Sequence, residues 1–265
     1  MNDATRAGRA ALAALAGLAL TCTGCTGGAD TPVPAVKVHE PVTDTSYHLY
    51  VPSDADALGP LPVAVVLHGG GFDSAAAQVR QWKGLAEGHG FAVLAPELKS
   101  PGALSTSTQG RRAQLATDAK RILAALDDAT GRRRLRVNEQ AVFIAGYGRG
   151  GDALYYAASQ HPDRFDALVA LSCRADLEVL QALPVTDELR TTPMLITWPK
   201  TGTNPLNSNW NPVVNQSWAA YRHLRMNKCY KVERLDVRGG HFLKPEVAVS
   251  FWRGLRPGAF ADRQR

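Results

Sequence analysis

Residues 62–67 read Pro-Val-Ala-Val-Val-Leu, six positions without one polar side chain. A strand with one wet face alternates apolar and polar residues. A continuous apolar run of this length marks a strand covered on both faces, as in a parallel sheet with helices above and below. The rest of the chain keeps to that plan. Further strand candidates lie at 91–95, 142–145, 167–172, 194–198 and 230–237, and 47–51 alternates like an edge strand. Helical patterning falls between them, at 74–87, 111–129, 152–159, 176–181, 216–225 and 245–252. In the second of these Leu115, Ile122, Leu123 and Leu126 share one stripe. Strands alternating with helices, and no internal repeat, predict an α/β fold: a mostly parallel, doubly wound sheet in a single domain.

The first 40 residues stand apart from this pattern. Arg6 and Arg9 precede an Ala/Leu-rich run at 10–20, too short to span a bilayer and the right size for the core of an export signal. Thr23-Gly24-Cys25 follows, a small residue before a cysteine, which resembles a bacterial lipobox; Cys22 stands where an aliphatic residue is usual. The expectation is a lipoprotein-type signal over 1–24, lipidation at Cys25, a Gly/Pro/Ala/Thr-rich tether over 25–40 and a folded domain over 41–265. That reading makes the protein exported, with membrane attachment through its N-terminal lipid at the periplasmic or cell-surface side.

Composition narrows the partners. The formal net charge is +6. Part of it comes from Arg132-Arg133-Arg134, which reads as a solvated helix end, because no aromatic residues interleave as single-strand nucleic-acid binding favours. No nucleic-acid partner is expected. Of the four cysteines, Cys22 and Cys25 sit at the export signal. Cys173 and Cys229 are left for the folded part, either paired or as two buried thiols. No C-x-x-C pair or zinc pattern occurs there, so neither metal nor cofactor is expected.

Three loops carry the chemistry. The apolar stretch 141–145 runs into Gly146-Tyr147-Gly148-Arg149-Gly150-Gly151 and then a helix. This is the strand–turn–helix setting of the G-x-S-x-G nucleophile elbow, with glycine at the middle position. Glycine has no oxygen with which to attack a carbonyl. His68-Gly69-Gly70-Gly71-Phe72 follows the buried run. Its glycines either let backbone N–H groups approach a developing oxyanion or simply form a tight turn. Arg238-Gly239-Gly240-His241-Phe242 sits between the last strand and the last helix, where a general base is at home.

In this order the loops resemble the α/β-hydrolase superfamily, over about residues 47–252, and most nearly its secreted bacterial esterase and depolymerase-like lipoproteins. The resemblance implies that Gly148 takes the nucleophile's place and His241 the base's. The backbone N–H groups of Arg149 and of Gly70 or Gly71 then take the oxyanion hole's. The acid usually follows the strand at 194–198, but no Asp or Glu occurs from there until Glu233. Asn204 is a candidate substitute that would orient the imidazole without stabilising its cation. Asp176 is either a relocated acid or the cap of its own short helix.

Other nucleophiles fit less well. Tyr147 carries a phenol that ionises near pH 10, and Ser172 and Cys173 end a different strand. Water activated by His241 is the remaining option. The literal G-x-G-x-x-G at 146–151 also matches a dinucleotide loop, but it lies mid-chain between the other two loops. The Asn/Pro-rich stretch 200–216, with Trp210, is either a lid or ligand platform at the mouth of the site or an ordered surface loop. The expectation is an exported pseudo-hydrolase that keeps a pocket for a small ester, acyl or oligomeric ligand. The alternatives are a weakly active carboxylic-ester hydrolase and an interaction protein of the envelope.

Overall fold

In chain order the elements are β1 (Val36–Glu40), β2 (Thr45–Tyr50), α1 (Ala55–Leu58), β3 (Leu61–Leu67), α2 (Ala75–His89), β4 (Ala92–Pro96), α3 (Thr108–Asp127), β5 (Val137–Tyr147), α4 (Gly150–Gln160), β6 (Ala167–Leu171), α5 (Leu177–Gln181), α6 (Asp187–Thr191), β7 (Met194–Lys200), α7 (Asn211–Met226), β8 (Val232–Arg238) and α8 (Pro245–Leu255). They are taken from a computed structural model, which describes residues 35–101, 105–133, 135–200, 211–238 and 243–260. The strands form one sheet in the order β1-β2-β4-β3-β5-β6-β7-β8. The strands from β4 and β3 through to β8 run parallel, and β2 and β1 add on antiparallel.

The apolar run on β3 is explained by its two faces. Val63, Val65 and Leu67 pack into the layer formed with α3, α4, α5 and α7. Ala64 and Val66 pack into the opposite layer, with α2 and α8. β5 divides the same way, with Val142 and Ile144 on one side and Phe143 and Ala145 on the other. The second layer is aromatic. Phe143 stacks on Trp252 with centroids 4.2 Å apart, and Phe91 and Phe260 meet the same indole edge-on. Offset and edge-on aromatic contacts of this kind add to the area they bury.

Local signals set the helix ends. Ser74 accepts the Ala77 N–H at the start of α2, and Ser107 accepts the Gly110 N–H at the start of α3. The end of α3 loosens into a π turn at Asp128–Arg132. There Asp128 accepts the Tyr47 hydroxyl at 2.8 Å and lies 3.5 Å from both Arg132 and Arg133. Two residues of the basic run therefore serve a helix end, as the sequence suggests; Arg134 lies outside the described residues.

Two expectations need correction. The tether read over 25–40 overlaps a strand, because β1 pairs with β2 from Val36↔Leu49 to Glu40↔Thr45. Glu40 is almost wholly buried and accepts the N–H groups of Val42 and Thr43, which closes the turn between the two strands. This carboxylate, not composition, brings the segment into the sheet. As a consequence the edge strand is β1, and β2 is interior to it.

Strand order also places the cleft. The chain passes from β3 to β4 on one side and then crosses to β5 on the other side of β3. Loops leaving β3 and β5 therefore diverge at a topological switch point, the usual site of a ligand crevice in open α/β sheets.

Candidate active site

β3 and β5 are hydrogen-bonded neighbours, with Leu67 opposite Gly146. That register sets the His68–Gly71 loop beside the Tyr147–Arg149 turn. A methyl group placed on Gly69 would lie 3.7 Å from the Arg149 backbone nitrogen and 3.2 Å from the Tyr147 carbonyl oxygen. The two arms expected to form an oxyanion hole are thus adjacent. Gly69, Gly70, Gly71, Tyr147, Gly148 and Arg149 all line one cleft of about 680 Å³.

The turn after β5 is tight enough to demand glycine twice. Gly148 has φ +54°, in the left-handed region that side chains disfavour. Gly150 lets α4 start against β3: a Cβ there would lie 2.6 Å from the Leu67 carbonyl oxygen. The Gly148 carbonyl accepts the Arg174 N–H at 2.7 Å, which ties the turn to the segment after β6. This is a tight strand–turn–helix of the kind expected at a nucleophile elbow, with no side chain at its apex.

His68 is a fastener. Its Nε2 accepts the Leu98 N–H at 3.0 Å, so Nδ1 carries the proton and donates to the Gly69 carbonyl at 2.8 Å. The segment after β4 is fixed again at buried Asp118, which accepts the N–H groups of Lys99 and Ser100. Pro101, the next residue, forms a wall of the cleft and accepts from Arg149 Nη1 at 3.2 Å.

Two further charged residues line the cleft and a third lies buried behind it, none of them singled out by the sequence. Asp73 lines the cleft, accepts the Gly69 N–H at 2.5 Å and accepts both bonds of the Gln78 amide. It braces the glycine loop. Arg174 lines the cleft from the β6 side. Asp152, in the first turn of α4, is buried and accepts the Asp176 N–H at 2.7 Å. Burial pushes the Asp152 carboxyl up to about 7, reinforced by the Asp176 carboxylate and opposed by the Asp176 N–H, Arg174 and Arg149. No local pattern in the sequence marks it, because its burial comes from contact with the segment after β6.

The other expected members are distributed as follows. Asp176 is the cap of α5: its carboxylate accepts the Val179 N–H at 3.2 Å and lies 2.5 Å from Arg111 Nε. It is not among the described cleft residues, and these contacts are those of the helix cap that was one of its two expected roles; its distance to His241 falls outside the described residues. His241, Asn204 and Cys25 lie outside the described residues, as do 201–210 of the proposed lid. Residues 211–216 of that stretch are the first turns of α7. Leu243, two residues past His241, does line the cleft.

Cys173 and Cys229 are separate buried thiols. Cys173 donates to the Gly146 carbonyl at 3.0 Å, and burial pushes its thiol well above the usual range. Burial, with the nearby Asp73 carboxylate, pushes the Tyr147 phenol up to about 12. No cluster of three or more metal-ligating side chains occurs among the described residues. No helix among them is long and apolar enough to cross a membrane.

With this geometry in hand, comparison with known proteins is direct. The family model described as "Putative esterase" matches residues 39–239. No curated protein matches. Among solved structures, a dienelactone hydrolase from Anabaena variabilis ATCC 29413 is 20% identical with a TM-score of 0.56, over 84% of this chain and 94% of that one. The S-formylglutathione hydrolase of Staphylococcus aureus is 18% identical with a TM-score of 0.55, over 84% and 94%. A thermostable esterase is 19% identical with a TM-score of 0.53; 78% of this chain spans about half, 54%, of that one. At these identities the likeness is one of fold.

Proposed function

The chain belongs to the Esterase family of the α/β-hydrolase superfamily, and from that premise we propose that it is an exported, lipid-anchored homologue that binds an ester or acyl ligand without turning it over efficiently. One observation carries the reading. Gly148 occupies the elbow apex, and none of the described residues lining the cleft is a serine, threonine or cysteine.

The remaining hydroxyl, on Tyr147, belongs to a phenol held protonated at neutral pH. The Cys173 thiol is buried, and its ionisation is suppressed by that burial. Ser172 is buried too, and its N–H is bound to Thr197. The backbone donors around Gly148 support retention of a carbonyl-binding pocket. Such donors, with binding, can sustain a residual acceleration of roughly 10³–10⁴ over water. Export and anchoring rest on Arg6, Arg9, the run 10–20 and Cys25.

The test is Gly148→Ser. With His241 as base and the oxyanion donors in place, hydrolysis of 4-nitrophenyl acetate should rise about tenfold or more over wild type. His241→Ala in the same background should abolish the gain. A wild type that already turns over as fast as Gly148→Ser would contradict the reading.

A further inference from the structure

We propose that the cleft is a receptor for a carboxylate, the acid rather than the ester, with one ligand oxygen taking the space beside Gly148. The proposal rests on the reading above and names the chemistry its pocket selects. Its ground is the charge around the elbow. The described lining residues include two guanidinium groups, Arg149 and Arg174, and one carboxylate, Asp73.

Asp73 is already committed. Its two oxygens take the Gly69 N–H and the Gln78 amide, inside the glycine loop. The arginines are not paired in this way, although both act through space on the buried Asp152 carboxyl behind the cleft. Arg149 spends a donor on the Pro101 carbonyl, and neither guanidinium has a carboxylate partner among the described residues. Both are partly buried. A partly desolvated guanidinium gains most from an oxyanion, which it can bind through two parallel N–H groups.

Both arginines also leave the backbone at the same spot. Arg149 follows Gly148 directly, and the Arg174 N–H is bonded to the Gly148 carbonyl. The eleven-residue helix α4 starts here, so its positive end adds to the field. A serine side chain at this position would take up part of this space. With glycine there, an oxygen can sit against the backbone donors.

The rest of the cleft suits an organic tail. Phe72, Ala77, Pro101 and Leu243 supply apolar surface in a volume of about 680 Å³. The ligand class is therefore a monocarboxylate with an apolar tail.

Calorimetric titration of the purified protein with hexanoate and 3-phenylpropanoate, each beside its methyl ester, tests this. At least one acid should bind tenfold or more tightly than its ester. Arg174→Ala should cost that acid tenfold or more and leave the ester unchanged, with Arg174→Lys recovering part of the loss. Arg149→Gln is a second variant, one that keeps a donor for the Pro101 carbonyl. Raising NaCl should weaken the acid alone.

Esters that bind as well as their acids, or acid affinity unmoved by both arginine variants, would overturn the carboxylate assignment and leave the ester-ligand reading standing. Inorganic phosphate binding as tightly as either acid would overturn the assignment of an organic carboxylate. Absence of binding by acids and esters alike would overturn both.

Discussion

Gly148 and Asp152 sit four residues apart and give the elbow opposite kinds of expense. Gly148 removes one: at φ +54° any side chain would be held in left-handed backbone, at roughly 1–2 kcal/mol. A serine nucleophile has to bear that cost, and this chain does not. Asp152 retains one. Its carboxyl, ordinarily near 3.8, is raised to about 7 in the fold, first by burial. Between those values the folded state binds more protons than the unfolded chain, so stability falls as pH rises from about 4 to about 7. The loss contributed by this group is on the order of 4 kcal/mol once both states are ionised. Asp152→Asn keeps an oxygen for the Asp176 N–H and removes the ionisation. It should gain stability over wild type at pH 8 and little at pH 4.5, as read from urea midpoints at the two values. A gain of equal size at both would show that Asp152 does not titrate in this window. Gly148 was legible in the sequence because its neighbours frame it. Asp152 was not: its burial follows from how α4 packs against the segment after β6, which no local pattern shows.

At the scale of elements, the site is a product of pairing. β3 and β5 align Leu67 with Gly146, and that register alone brings the two glycine loops together. The aromatic layer beneath β5 holds the pair in place. Trp252 of α8 is wholly buried, stacks on Phe143 and donates to Asp166 at 3.2 Å. Trp252→Ala should cost about 3–5 kcal/mol, seen as a lowered denaturant midpoint. A loss below about 1 kcal/mol would mean that α8 docks without its indole, since core cavities of this size are rarely so cheap. The long elements were readable from periodicity and from apolar runs. β1 was not, because its inward residues are only Val38 and Glu40. A buried glutamate that accepts three hydrogen bonds from the next turn looks, in sequence, like part of a polar tether.

For the molecule as a whole, sheet order decides where chemistry can occur. The crossover from β4 to β5 opens a crevice at the C-terminal ends of β3 and β5, and the glycine loops lie there. The ordered set of loops was enough to read this architecture from sequence. The charge of the crevice was harder to see, because Arg174 reaches it from a segment 26 residues beyond Gly148 through a bond to the Gly148 carbonyl. The central claim is that this crevice has kept its donors and lost its nucleophile. The most direct test is to incubate the purified protein with a fluorophosphonate probe and weigh it by intact-mass spectrometry. The account predicts an unchanged mass for wild type and a single adduct for Gly148→Ser. Stoichiometric labelling of the wild type would contradict it.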